Sequence, residues 1–179
     1  VLSSLYPNSN YATSQELSLR ISGGIDNLRI LMGFDVGAGA GISKATLELY
    51  QKNNSTANYA RVYEVSRTWD ITDVCWANDG FGSSWTGGEF DSSNCTVPVS
   101  LPTSAGWRYF DISHIARTQY YQEPSYLFTR GVLLKLDNNA SNSIHSFYST
   151  NAVEASYRTR LVLDYFRAPY SGADVGNMD

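Results

Sequence analysis

Apolar residues recur at every second position over most of this chain, and a turn breaks the pattern about every ten residues. That alternation restricts the fold more than any other feature, because it suits strands with one face inward and excludes long helices. Glu16 to Ser22 sets Leu17, Leu19 and Ile21 on one face, with Ser18 and Arg20 on the other. Leu28 to Val36 sets Leu28, Ile30, Met32, Phe34 and Val36 against Arg29, Leu31, Gly33 and Asp35. Ile42 to Lys52 turns Ala45, Leu47 and Leu49 inward. Tyr59 to Arg67 carries Val62 and Val65 on opposite parities, which calls for a bulge. Further strands are expected at Gly106 to Ile112, at Gly131 to Asn138 with Val132, Leu134 and Leu136 inward, at Ser143 to Thr150 and at Thr159 to Phe166. In the third of these, Ile144, Ser146 and Tyr148 alternate with His145 and Phe147. Glycine-rich turns fall at residues 23–26 and 37–41. Only Ser113 to Gln122 has a helical pattern, with Asp111 or Ser113 as cap and Pro124 as stop. Eight to ten strands and one short helix predict an all-β fold, an antiparallel β-sandwich of the jelly-roll kind. One domain is expected over residues 1–168, followed by a polar tail or linker, 169–179.

The residue mixture narrows the function classes. Charged residues make up 17%, against about 25% in ordinary globular chains. Tyr, Ser, Asn and Gly fill the balance, as they do in extracellular β-proteins that recognise polar ligands. A net charge of −4 without a basic run argues against nucleic acid. No apolar run is long enough for a membrane helix. Starting at Val1, the chain is expected to be a mature fragment or a domain of something longer.

One stretch breaks the alternation. Thr68 to Asp91 holds Trp69, Trp76 and Trp85 together with Cys75, Asp70, Asp73, Asp79, Glu89 and Asp91. Such a loop is either a site or a plug closing one end of the sandwich. Cys75 and Cys95 flank it, 20 positions apart. A disulfide between them is the expected state, contributing about 3 kcal/mol by loop closure; two buried free thiols are the alternative. Ser83, Ser84, Gly87 and Gly88 surround Trp85, which places it at a loop tip as a platform for a sugar ring. Glu89 and Asp91 stand beside it as hydrogen-bonding carboxylates. Arg20, Arg29, Arg61, Arg158 and Arg160 are candidates for bidentate contact with uronate carboxylates. If the first two long strands pair, Arg20 and Arg29 form one basic strip with Lys135; ordinary outer-face charge is the plain alternative. Asp79, Glu89 and Asp91 are candidate ligands for a structural Ca²⁺, with Asp79 and Asp91 carrying the metal expectation. His114 and His145 come without any nucleophile or metal signature, and the acidic pairs are expected to be solvated, so no catalysis is expected. Asn53, Asn54, Asn94 and Asn139 each begin an N-x-[ST] sequon, consistent with surface turns.

Six pieces taken in order resemble the DNRLRE domain, also classed as carbohydrate-binding module family 96. The opening YPNSNYATSQELSLR is similar to its lead-in and first strand. LRILMGFDV resembles its R-x-L-x-x-F-D strand through Arg29, Phe34 and Asp35. ISKATLELY resembles the next strand, and RVYEVSRTWDITDVCW the element bearing Trp69 and Trp76, with Cys75 where the family usually has Thr. WRYFDIS, with Trp107 and Asp111, and YRTRLVLDY complete the likeness from about Tyr6 to Tyr165. The resemblance implies a β-sandwich on exported surface proteins or polysaccharide-degrading enzymes, binding polysaccharide, with acidic glycans such as alginate as one described target. It also places Trp69, Trp76 and Trp107 in the core. The expected function is therefore a non-catalytic polysaccharide- or glycan-binding module of a larger exported protein, extracellular or at the cell surface. Its ligand set is Trp85, Glu89, Asp91, Arg20, Arg29 and Arg158. The rival expectations are an adhesive tip of a surface fibre, homotrimeric and recognising a cell-surface glycan or protein, and an accessory to a polysaccharide lyase or hydrolase with residual activity.

Overall fold

The computed structural model describes residues 1–21, 27–36, 41–54, 56–122, 130–137 and 143–166. Eleven strands and one α-helix lie within them, in the order β1 (Leu2–Ser3), β2 (Glu16–Ile21), β3 (Leu28–Met32), β4 (Ile42–Gln51), β5 (Asn58–Val65), β6 (Phe90–Cys95), β7 (Val99–Leu101), β8 (Gly106–Asp111), α1 (Ser113–Gln122), β9 (Val132–Leu136), β10 (Ser143–Tyr148) and β11 (Arg160–Tyr165). All the pairings are antiparallel, and the ladder runs β11-β4-β10-β2-β3-β9-β5-β6, with β1 on β3, β7 on β5 and β8 on β4. The turn at 23–26, the Gly-rich 37–40, Pro124, Asn139 and the tail 169–179 lie outside the described residues.

The alternation explains the main core. Leu47 and Leu49 of β4 and Phe110 of β8 belong to one buried cluster with Val62 of β5, Leu134 of β9, Ile30 of β3 and Leu19 of β2. β4 and β5 are far apart along the ladder, so the sheet folds over on itself to bring them together. Each buried aliphatic side chain contributes about 1.5–3 kcal/mol relative to exposure. Helix α1 packs Ile115, Ala116 and Tyr120 into the same cluster. Of the two expected caps Asp111 is the one used: its carboxylate accepts from the Ser113 amide at 2.9 Å, whereas Ser113 Oγ accepts from the Ala45 amide of β4 at 3.0 Å and ties the helix to that strand.

A second, smaller cluster sits on the opposite face of β3, β9 and β5. It joins Leu2, Leu31, Val65, Leu133, Trp69, Val74 and Trp85. This settles the parity of β5 differently from the expected bulge. Val62 faces the main core and Val65 the second one, and the pairing of β5 with β9 runs in register from Ala60 to Glu64. A register shift does occur, but between β5 and β6 at Tyr63/Glu64. In β10 the inward residues are His145 and Phe147, whereas Ile144 is exposed. The strand expected over Leu28 to Val36 ends at Met32, and β1 and β6 arise in segments the alternation had left as lead-in and loop.

Candidate functional site

The tryptophan-rich stretch is a plug. Trp85 is only 6% exposed, and its indole Nε1 donates to the Cys75 carbonyl at 2.7 Å. Trp69, equally buried, donates to the Arg130 carbonyl at 2.8 Å. Asp79 organises the turn between them: its Oδ1 accepts from the Phe81 and Ser83 amides at 2.9 and 3.1 Å, while Oδ2 lies 3.4 Å from Arg67 Nε. Gly87 has φ +67, and a Cβ there would meet the Trp76 ring at 2.7 Å, so only glycine lets the chain cross that indole.

Several expectations are corrected here. Trp85 is not a presented platform; the second cluster has room for its ring, and burying an indole with its N–H satisfied is more favourable than displaying it. Phe81, 64% exposed, occupies the tip instead. The expected disulfide is absent: Cys75 and Cys95 are free thiols, Cys75 buried within the plug and Cys95 half-buried on β6, 3.9 Å from Arg61 Nη1. Asp79 is committed to backbone amides and Arg67. The Asp91 carboxylate accepts from the amide and hydroxyl of Ser93, which holds it below the usual carboxylate range. Among the described residues no group of three or more His, Cys, Asp or Glu side chains gathers to hold a metal ion. Glu89 pairs with Arg67 at 3.1 Å. Trp76 and Trp107, expected in the core, are half-buried.

The basic strip does form. Arg20 pairs across to Leu28, and the register of β3 on β9, Ile30 to Leu134, sets Arg29 beside Lys135 one step further. Arg20, Asn27, Arg29 and Lys135 line a groove of about 100 Å³ floored by Ile21, Leu28 and Leu136. No carboxylate lines it among the described residues. Arg61, directly paired with Lys135, is drawn away to Asp137 at 2.7 Å. Arg158 is not in the groove: its Nε donates to the Ala152 carbonyl at 2.7 Å, beside β11.

Aromatic rings hold the two central cations in place. The Arg29 guanidinium lies 4.8 Å from the Trp76 ring centre and 5.5 Å from that of Phe90. Its Nη1 donates to the Thr86 and Gly87 carbonyls at 3.2 and 2.8 Å, which leaves Nε and Nη2 unpartnered among the described residues. The Lys135 ammonium lies 5.0 Å from Tyr63 and 5.3 Å from Phe90. Burial lowers the proton affinity of both cations, and the neighbouring Arg29 charge lowers that of Lys135 further. Two like charges are thus held together over apolar residues; Asp137, paired with Arg61, offsets the lowering at Lys135 only in part, and no carboxylate is among the groove's described lining residues. Sequence reasoning missed these rings, although Tyr63 and Phe90 carried the signal as aromatics on strand segments beside the charges.

A larger cavity, about 320 Å³, opens between Leu31, Phe34, Trp69, Val74 and Leu161. Several of its polar side chains are already occupied. Asn10 donates to the Ile71 and Val74 carbonyls, Ser149 Oγ to that of Ser14, and Thr159 Oγ1 to that of Tyr148. Its walls are mainly apolar.

The family model described as carbohydrate-binding module family 96 matches residues 1–158. The chain belongs to that family. No curated protein matches the chain. In this family 96 module no helix among the described residues is long and apolar enough to cross a membrane. His145 is buried with neither ring nitrogen hydrogen-bonded among the described residues, and His114 lies exposed on α1.

Proposed function

We propose that this module holds an anionic polysaccharide by its carboxylates at the Arg20–Arg29–Lys135 groove, without catalysis, on behalf of a larger exported surface protein. The observation that carries the reading is the pairing of Arg29 with Lys135 over aromatic rings, with no carboxylate among the groove's described lining residues. A sugar carboxylate entering there relieves the repulsion between the two cations. It also meets the unpartnered edge of a planar guanidinium, which suits it geometrically. The flanking rings supply the flat apolar surface that a pyranose C–H face needs.

Isothermal titration with hexaguluronate tests this. A charge-assisted contact contributes about 1.5–3 kcal/mol, so Lys135→Gln is expected to weaken binding about tenfold or more. Raising NaCl from about 0.05 to about 0.5 M is expected to weaken it further, because the Debye length shortens. Unchanged affinity in Lys135→Gln and in Arg20→Ala would remove the groove from the function.

A further inference from the structure

On the outer face of the other end of the ladder, four aromatic side chains gather that no expectation assigned to a ligand. Tyr50 of β4 pairs with Trp107 of β8, their ring centres 5.4 Å apart and nearly perpendicular. Tyr157, from a short 3-10 helix Ala155–Tyr157, lies 4.2 Å from Tyr50 and 5.3 Å from Tyr148 of β10. All four are half-buried. Their parity is outward: Tyr50 alternates with the buried Leu49 and Gln51, and Tyr148 with the buried Phe147 and Ser149. The patch therefore contributes nothing to either buried cluster, while leaving apolar ring area in water.

The charges around it differ from those of the groove. Arg160 lies 4.8 Å from the Trp107 ring, and Lys52 lies 4.6 Å from the Tyr148 ring. Each is matched by a carboxylate, Arg160 with Glu48 and Lys52 with Glu16, both at 2.5 Å. The rim is thus made of two ion pairs with no net charge. Glu16 and Glu48 repel a uronate, while their oxygens and the facing N–H groups accept and donate to hydroxyls equally well.

The geometry points to this patch as a second carbohydrate site, taking an uncharged pyranose whose C–H face lies on the rings and whose hydroxyls meet the two ion pairs. The inference rests on the module's being carbohydrate-binding and not on the groove. The two sites share one outer face. Tyr148, Ser146 and Ile144 stand opposite Glu16, Ser18 and Arg20, so the patch and the edge of the groove are four residues apart along β2. At about 3.4 Å per residue that is about 14 Å. A polymer with neutral and acidic residues can touch both.

The test is a ¹⁵N-resolved NMR titration of the chain with cellohexaose, mannohexaose and xylohexaose, following the Trp107 indole N–H, and separately with hexaguluronate. At least one neutral hexaose is expected to shift the Trp107 signal. Tyr157→Ala is expected to weaken that binding about tenfold and leave hexaguluronate binding unchanged. Tyr157 lies outside the ladder, so this variant keeps the fold even where Trp107→Ala does not. The proposal is overturned if none of the three neutral hexaoses moves Trp107. It is equally overturned if Tyr157→Ala binds them as tightly as the parent, or if hexaguluronate alone perturbs the patch. Failure of hexaguluronate to bind anywhere would instead count against the groove.

Discussion

Replacing Trp85 separates a plug from a presented tip most directly. The ring is 6% exposed and packs with Leu2, Leu31, Val65, Trp69, Val74 and Leu133. Trp85→Ala removes it from this cluster and frees the Cys75 carbonyl from its only indole donor. Large-to-small changes of this kind cost about 3–5 kcal/mol. Against a total stability of about 5–15 kcal/mol, that loss is a large fraction. With a urea m-value of about 2 kcal/mol/M, the midpoint should fall by about 2 M. Trp85→Phe keeps much of the packing but leaves the carbonyl unpaired, for about 1–2 kcal/mol. The assay is urea unfolding followed by far-UV circular dichroism, with sugar binding measured on Trp85→Phe under native conditions. An unfolding free energy for Trp85→Ala within about 0.5 kcal/mol of the parent, the usual range for a surface change, would refute the plug. So would a Trp85→Phe variant that folds normally but loses all sugar binding.

Acid should destabilise the fold through His145. It is buried, both ring nitrogens lack a hydrogen-bond partner among the described residues, and burial with the nearby Arg108 charge pushes its pKa below the usual 6.5. Because the folded value is the lower one, stability is complete above about pH 6.5 and is lost as pH falls from there to the folded value. In thermal melts between pH 7.5 and 5, His145→Leu should flatten that slope; an unchanged slope in the variant would refute the assignment. The free thiols predict that a reducing agent leaves the melting temperature unchanged, whereas breaking a bond across the 20-position span from Cys75 to Cys95 would cost about 3 kcal/mol. Thiol titration should count two groups in denaturant and label Cys95 ahead of Cys75 in the native state.

The strand pattern was legible because one-sided burial writes itself as alternation. Leu19, Leu47, Leu49, Val132 and Leu134 all fell on the expected face. It failed where a strand is buried on both faces. Leu31, Val65 and Leu133 belong to the second cluster, and a period of two carries no signal for a strand with two insides. The loop was misread for a related reason. Neighbouring Ser and Gly residues describe the backbone freedom around Trp85, not the hydrophobic hole that β3, β5 and β9 leave open for it. The strip of Arg20, Arg29 and Lys135 was legible from parity and pairing alone. Its aromatic floor was not, because Trp76 and Phe90 reach Arg29 only once the plug has closed.

That dependence links the two halves of the structure. Arg29 donates to Thr86 and Gly87 of the plug and stacks on Trp76, so its position in the groove is set by residues 47 to 58 places later in the chain. Gly87 lies against the same indole, in a conformation few other residues adopt. The plug therefore does two things with one set of contacts: its inner side fills the second cluster, and its outer side fixes a guanidinium edge. An arginine on an exposed strand with no such support would give up much side-chain entropy on gripping a carboxylate. Here that cost is met during folding, and the groove presents its cation already oriented. Loosening the plug should thus weaken anion binding through Arg29 while leaving the Trp107–Tyr157 patch unaffected.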